Sequence, residues 1–249
     1  MLRAYGDGNL FGEPYGEGPV RVVWLHGWAR RGQDFADSAR ELSDQGISSV
    51  ALDLPGFGSS PLPTVAGGAG IYAQLITPAL VELAQEPLVL VGHSFGGRIA
   101  TVIAATNPEL VRGVVLTGAP LVRQASSAKS PLRYRIVRAL HQKGLLSDKR
   151  MEDARQHFGS ADYRNAHGIM RDVLVATVNE SIEPELGLVR APVSMVWGRS
   201  DREVPLEIAQ RAGALLSCPH TLRVVEGAGH LLPTETPHEL VTSVMALLG

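Results

Sequence analysis

The sequence predicts an α/β protein whose mostly parallel sheet is covered by helices on both faces. Short apolar runs occur at residues 20–25, 47–52, 88–91, 111–117, 193–197 and 221–225. Between them lie segments whose apolar residues have helical spacing, at residues 34–43, 71–83, 95–105, 206–216 and 235–248. Strands that are apolar on both faces and alternate with helices are typical of a parallel sheet with helices on both sides.

The alternation of strands and helices stops after residue 118. Residues 119–189 contain no strand-like run and hold helical segments at 131–141, 147–158 and 168–180. A connection of this length is too long for a simple crossover between neighbouring strands. We therefore expect a core made of residues 1–118 and 190–249, with a helical lid inserted at residues 119–189.

Composition excludes several classes of protein. The chain has 249 residues with 45% hydrophobic content, which is enough for a sizeable core. Its net charge of −2 argues against a nucleic-acid binder, and a single cysteine, Cys218, excludes an intrachain disulfide. The N-terminal residues do not resemble a signal peptide, and no apolar run reaches the length of a membrane span. We expect a cytoplasmic protein without nucleic-acid partners.

The first chemical motif is Gly92-His-Ser-Phe-Gly96, which matches G-x-S-x-G. It lies where the predicted strand 88–91 meets the predicted helix 95–105, which is the context that a nucleophile elbow requires. Such a turn exposes the serine hydroxyl above the edge of the sheet. Ser94 is therefore the predicted nucleophile.

A serine nucleophile needs a base that is oriented by a third group. Asp201 and His230 follow two later predicted strands, so both should reach the carboxyl edge of the sheet where Ser94 lies. We predict that His230 is the base and that Asp201 orients it, with Glu203 as the alternative acid. The other histidines have no matching partners; His93 should point away from Ser94, and His26 should be structural.

Acyl transfer also requires N–H donors that stabilise an oxyanion. The predicted donors are the backbone amides of Phe95, directly after the nucleophile, and of Trp28, in the loop after the first strong strand. The Trp28 side chain is also a candidate wall of the substrate pocket.

Taken together, five ordered motifs resemble the α/β-hydrolase superfamily. They are Leu25-His-Gly-Trp28, Asp53-Leu-Pro-Gly-Phe-Gly-Ser59, Gly92-His-Ser-Phe-Gly-Gly97, Asp201-x-x-Val-Pro205 and Gly229-His230. The resemblance implies an α/β-hydrolase fold: a mostly parallel eight-stranded sheet whose first strands come from residues 1–18, and a helical cap at residues 119–189. It also implies that Asp53 is structural.

Serine at position 94 separates this chain from the haloalkane dehalogenases and epoxide hydrolases of the superfamily, which have aspartate there. The motifs resemble small carboxylesterases, pimeloyl-acyl-carrier-protein methyl ester esterases and carbon–carbon bond hydrolases. We therefore expect an ester hydrolase that needs no cofactor and no metal. The alternatives are carbon–carbon bond hydrolysis, a cofactor-free haloperoxidase or perhydrolase, and a ligand receptor with slow or no turnover.

The lid segment carries a positive charge that is not evident from the net charge of the whole chain. Residues 121–157 contain nine basic and three acidic residues, so this segment carries +6 and the rest of the chain −8. A basic face that includes Arg135 and Arg138 would attract an anionic substrate or an acidic carrier protein; the alternative is a solvated helical face. Arg98, one helical turn after Ser94, is a candidate anchor for a substrate carboxylate, or else forms a salt bridge inside the fold.

Overall fold

The computed structural model describes residues 1–123, 139–141, 144–147, 149–151 and 161–249. Eight strands form one sheet in the order β1-β2-β4-β3-β5-β6-β7-β8. The strands are β1 (Arg3–Tyr5), β2 (Leu10–Tyr15), β3 (Val20–Leu25), β4 (Ser48–Asp53), β5 (Leu88–His93), β6 (Val111–Thr117), β7 (Val193–Gly198) and β8 (His220–Val225). β2 is antiparallel to both β1 and β4, whereas the pairs from β4 through β8 are all parallel. The predicted sheet is confirmed, including its first two strands from residues 1–18.

Helices follow the strands largely where the apolar spacing places them. They are α1 (Ala36–Asp44), α2 (Ala69–Leu83), α3 (Phe95–Thr106), α4 (Ala161–Asn165), α5 (Ile169–Asn179), α6 (Glu183–Leu186), α7 (Leu206–Gly213), α8 (Leu232–Glu235) and α9 (Pro237–Leu248). The predicted helix at 235–248 corresponds to α9, which begins two residues later, at Pro237, and α8 is a separate short helix before it. Thr236 has φ −145° and ψ 61° because the ring of Pro237 disfavours helical geometry in the residue before it.

Alternate residues of the central strands pack on opposite faces of the sheet. In β3, Val23 and Leu25 join the apolar cluster that includes side chains of α2 and α3. Val22 and Trp24 join a second cluster with side chains of α1 and α9. These four side chains are fully buried, so β3 is apolar from Val22 to Leu25 rather than alternating with polar residues.

Parallel pairing brings the carboxyl ends of six strands to one edge of the sheet. β3, β4, β5, β6, β7 and β8 end at Leu25, Asp53, His93, Thr117, Gly198 and Val225. Each predicted motif residue follows one of these ends. The fold therefore gathers at a single edge the residues that the sequence distributes over about two hundred positions.

The described part of segment 119–189 is helical, with α4, α5 and α6. The predicted helix at 168–180 corresponds to α5, whereas the predicted helices at 131–141 and 147–158 lie largely outside the described residues. Arg135 and Arg138 also lie outside the described residues. Within the part of the chain that the structure describes, no helix is long and apolar enough to cross a membrane.

Candidate active site

Ser94 sits in a strained turn between β5 and α3. Its backbone has φ 50° and ψ −112°, in a region that side-chain-bearing residues seldom adopt. Gly96 makes the turn possible, because a Cβ at this position would overlap the carbonyl oxygen of Leu25. A Cβ at Gly92 would lie 2.5 Å from the Cα of Gly97. The two motif glycines are therefore required by close backbone packing, and the partly buried Ser94 is held at the start of α3.

The loop after β3 packs directly against this turn. The Gly96 amide donates a hydrogen bond to the His26 carbonyl at 3.1 Å, and a Cβ on Gly27 would lie 3.2 Å from the Ser94 Cβ. Phe95 is the first residue of α3, so its amide has no acceptor within the helix. Among the described residues, neither this amide nor that of Trp28 donates a hydrogen bond to the protein. Both amides thus lack a protein acceptor in the described part of the chain, and their role as oxyanion donors stays a prediction.

His26 has a structural role in the same loop. Its Nε2 accepts a hydrogen bond from the Leu54 amide at 2.9 Å, which leaves Nδ1 to donate to the Gly27 carbonyl at 2.7 Å. Burial lowers the pKa of His26 to about 4, against the opposing effect of the Gly27 hydrogen bond. The ring is therefore neutral near pH 7 and fastens the β3 loop to the end of β4.

His230 and Asp201 meet at the ends of β8 and β7. His230 Nδ1 lies 2.8 Å from Asp201 Oδ2. The other carboxylate oxygen of the buried Asp201 accepts hydrogen bonds from the amides of Glu203 and Val204, at 2.9 and 2.8 Å. Glu203, the alternative acid, instead places Oε2 3.6 Å from Nε2, and its side chain is 73% exposed. The geometry thus gives Asp201 the orienting position.

The acidic surroundings of His230 change its pKa. Burial by itself lowers this pKa, but the hydrogen bond and negative charge of Asp201 raise it, with further contributions from Glu203 and Glu235. The net result is a pKa above the ordinary histidine value. The surroundings of His230 therefore favour its protonated, imidazolium form.

Two further side chains hold the His230 segment and a glycine lies against its ring, and sequence reasoning missed all three. His93 Nε2 lies 2.9 Å from the His230 carbonyl oxygen; because a carbonyl can only accept, Nε2–H is the donor. Burial lowers the pKa of His93 to about 3, so this ring stays neutral. Glu235 accepts hydrogen bonds from the amides that flank His230, those of Gly229 and Leu231. A Cβ at Gly118 would lie 2.9 Å from the His230 ring.

No local signal in the sequence marks these contacts. His93 neighbours Ser94 in the chain, but its partner is a carbonyl 137 residues away. Glu235 follows His230 by five residues without matching a motif of its own. They become visible only when the strand ends are brought together.

Aromatic rings surround the oxyanion loop and the elbow. Trp28 packs edge-to-face against Phe57 and Phe95, with ring centroids 5.0 and 5.9 Å apart. Tyr72 packs against Phe95 at 4.9 Å, and its hydroxyl donates to the Pro55 carbonyl. These rings form an apolar cluster beside the elbow that includes Trp28, and a role of Trp28 as a wall of the substrate pocket stays a prediction.

Arg98 is engaged within the fold. Its Nη1 donates to the Pro120 carbonyl at 2.9 Å, and Nη2 lies 3.1 Å from Glu180 Oε2. The Glu180 carboxylate also accepts hydrogen bonds from the amides of Ala69 and Gly70, at the start of α2. This geometry corresponds to the salt-bridge alternative for Arg98 rather than to an anchor for a substrate carboxylate. The pair connects α3 to the start of α2 and to the residue that follows α5.

Comparisons with known proteins identify the family of this chain. A family model described as "Alpha/beta hydrolase family" matches residues 22–243. The hydrolase YugF of Bacillus subtilis, described as uncharacterized, is 29% identical, with 96% of this chain and 93% of the relative covered.

Two relatives with named substrates are more distant. A 2-hydroxy-6-oxononadienedioate/2-hydroxy-6-oxononatrienedioate hydrolase of Cupriavidus pinatubonensis is 25% identical, covering 94% of this chain and 88% of that protein. A pimeloyl-[acyl-carrier protein] methyl ester esterase of Salmonella newport is 24% identical, covering 96% and 98%. The matched region includes the elbow, the two acidic candidates and His230, and these relatives are hydrolases. This chain belongs to the alpha/beta hydrolase family.

Proposed function

We propose that the protein is a serine hydrolase that cleaves a carboxylic ester through an acyl-enzyme. The observation that carries this proposal is the His230–Asp201 pair, 2.8 Å apart, at the same sheet edge as the strained Ser94 turn. A nucleophile, a base and an orienting acid in this chain order are the components of the serine mechanism in this fold.

In the proposed mechanism, His230 Nε2 removes the Ser94 proton while Oγ attacks the ester carbonyl. Asp201 fixes the imidazole tautomer with Nδ1 protonated and stabilises the imidazolium. The amides of Phe95 and Trp28 donate hydrogen bonds to the oxyanion. His230 then gives its proton to the departing alcohol, and a water molecule activated by the same imidazole releases the acid.

We further propose that residues 119–189 form a cap over this edge of the sheet. Its last described helix pair is tied to the core, because Arg98 and the start of α2 both bind Glu180 directly after α5. Met170 in α5 also lies close to the loop after β4. Its Sδ is 4.0 Å from the hydroxyl of Tyr72, which donates to the Pro55 carbonyl in that loop. These contacts of Glu180 and Met170 support a cap position for the segment.

The basic residues of the cap support an acidic carrier protein as a candidate partner. Relatives that act on pimeloyl-[acyl-carrier protein] methyl ester make such a carrier a concrete candidate. Of the basic residues, Lys149 and Arg150 are exposed. We expect Arg135→Ala/Arg138→Ala to lower kcat/KM on a carrier-bound ester more at low than at high ionic strength; no change at either ionic strength would favour a solvated face.

The proposed reaction is tested with a fluorophosphonate probe and a panel of p-nitrophenyl esters of increasing acyl length. Wild type should be labelled at Ser94 and should cleave at least one ester, whereas Ser94→Ala should do neither. Intact wild type without labelling and without turnover would refute the hydrolase proposal and favour a binding protein.

Carbon–carbon bond hydrolysis is the second candidate. Three relatives named as 2-hydroxy-6-oxononadienedioate/2-hydroxy-6-oxononatrienedioate hydrolases favour it. The test is to add the enzyme to 2-hydroxy-6-oxononadienedioate and to follow the absorbance of this compound. A kcat/KM for its cleavage above that for every ester would favour this reaction over ester hydrolysis.

A further inference from the structure

Two carboxylates contact the two nitrogens of one imidazole. Asp201 Oδ2 lies 2.8 Å from His230 Nδ1, and Glu203 Oε2 lies 3.6 Å from Nε2. The proposed mechanism gives Asp201 a role and leaves Glu203 without one. Glu203 nevertheless faces the nitrogen that moves the proton.

The turn that holds Asp201 also fixes Glu203 in this position. Asp201 Oδ1 accepts hydrogen bonds from the amides of Glu203 and Val204. These two hydrogen bonds fix the backbone at residue 203 relative to Asp201. The exposed Glu203 side chain therefore starts from a rigid backbone beside the imidazole.

We propose that Glu203 is a specificity-determining residue that disfavours a carboxylate on the leaving-group side of the scissile bond. The substrate class is then an ester of an uncharged alcohol. This inference rests on the proposed serine hydrolase function, because that mechanism makes Nε2 the donor to the departing alcohol oxygen.

The distance between the leaving oxygen and the Glu203 carboxylate sets the size of the expected repulsion. A leaving oxygen that accepts a hydrogen bond from Nε2 lies about 3 Å from it, and so within roughly 7 Å of the Glu203 carboxylate. A second carboxylate at that position is repelled, with screening because the Glu203 side chain is 73% exposed. We expect the repulsion to change relative kcat/KM about three- to tenfold.

Among the described residues, the charges that most affect the pKa of His230 are all acidic, those of Asp201, Glu203 and Glu235. Arg30 acts on the neighbouring ring of His93, which is neutral because burial lowers its pKa to about 3. Arg98, one turn after Ser94, is paired with Glu180. The aromatic rings of Trp28 and Phe95 add no charge.

Matched esters test the inference. The pair is a glycolate ester, with a carboxylate two bonds from the ester oxygen, and the corresponding glycolamide ester, with the same acyl chain and a neutral amide. The acyl chain is the one that wild type prefers. The measured quantity is the ratio of kcat/KM for the amide to that for the carboxylate.

We expect wild type to prefer the glycolamide ester and Glu203→Gln to reduce this preference about three- to tenfold. Glu17→Gln is the matched control: it removes the same charge from the exposed turn before β3, at the opposite edge of the sheet. Its ratio should equal that of wild type. Raising the ionic strength should also reduce the wild-type preference, a measurement that needs no variant.

The possible outcomes distinguish failure of the role of Glu203 from failure of the proposed serine hydrolase function. Cleavage of neither ester, with no fluorophosphonate labelling of Ser94, overturns the proposed function and this inference together. Cleavage with a ratio that Glu203→Gln and added salt both leave unchanged overturns the role of Glu203 alone.

Discussion

The two halves of the candidate active site are held in place by different means. The nucleophile half, residues 26–28 and 92–97, is held by backbone contacts, such as Ser94 N to the Thr117 carbonyl at 2.9 Å, with the ring of His26 as an additional side-chain contact. The histidine half, residues 201–204 and 226–235, is held by side chains that bind backbone groups, including those of Asp201, Glu235 and His93. A Cβ added to a glycine of the first half should therefore damage the fold, whereas removal of a side-chain hydrogen bond to the His230 segment should reduce the rate while the fold persists.

The largest expected effect is that of Gly96→Ala in the nucleophile half. The new Cβ would overlap the Leu25 carbonyl oxygen, so either strand or helix must move. We expect a loss of at least about 3 kcal/mol in the free energy of unfolding, measured by urea denaturation. Gly70→Ala is the control, because its Cβ would meet its nearest neighbour at an ordinary 3.5 Å. Equal stability of the two variants would contradict backbone packing as the constraint.

Asp201→Asn should give the largest effect of the histidine half. Asparagine keeps an oxygen for the amides of Glu203 and Val204 but removes the charge that holds His230 Nδ1–H. We expect kcat to fall about 10³–10⁴-fold, as for other triads with this change, with little change in Tm. Glu203→Gln should retain most of the wild-type kcat on an uncharged ester. The reverse order of effects would make Glu203 the orienting acid.

Glu235→Ala should loosen the His230 loop, because it removes the acceptor for the amides of Gly229 and Leu231. We expect kcat to fall about tenfold with KM nearly unchanged, the scale of one charge-assisted hydrogen bond. Glu226→Ala is the matched control, since Glu226 lies in the same loop but binds Arg199. Equal losses in both variants would indicate a general effect of loop charge.

His93 should act as a positioning residue through the His230 carbonyl. His93→Leu keeps the apolar volume and removes the donor, whereas His93→Gln keeps an N–H near Nε2. We expect kcat to fall about threefold to tenfold for leucine, and rescue by glutamine to within about twofold of wild type. Identical kcat values in the two variants would show that packing alone matters at this position.

The smallest expected effect is a shift of the pH–rate profile in Glu203→Gln. The raised pKa of His230 places loss of activity on the acid side, because the imidazole must be neutral to act as base. Removing the Glu203 charge lowers this pKa, so the acid limb should move to lower pH. The shift should be a few tenths of a pH unit, since the carboxylate is exposed. A shift to higher pH would contradict the electrostatic account.

The difference between the halves also explains what the sequence could predict. The nucleophile half depends on glycines and a serine within one short segment, so the pattern of Gly92, Ser94 and Gly96 predicts it directly. The strands were predictable for a similar reason, because burial on both faces leaves continuous apolar runs such as residues 88–91.

Contacts between distant segments could not be read in the same way. The partner of Arg98 is Glu180, 82 residues later, and the partner of His93 is 137 residues later. Either side chain alone fits several roles, and only the arrangement of the strand ends selects one. Pro237 is the opposite case: it stands in the sequence next to Thr236 and disfavours helical geometry there, so α9 begins two residues later than the apolar spacing predicts.

Direct detection of the acyl-enzyme is the most direct test of the serine mechanism. The enzyme is mixed with excess of a p-nitrophenyl ester, quenched in acid within the first turnovers, and digested for mass spectrometry. The account predicts an acyl group on the peptide that contains Ser94, a burst of p-nitrophenolate equal to the enzyme concentration when deacylation is slow, and neither in Ser94→Ala. Full hydrolytic activity in Ser94→Ala, or an acyl group on another residue that turns over at the catalytic rate, would contradict it.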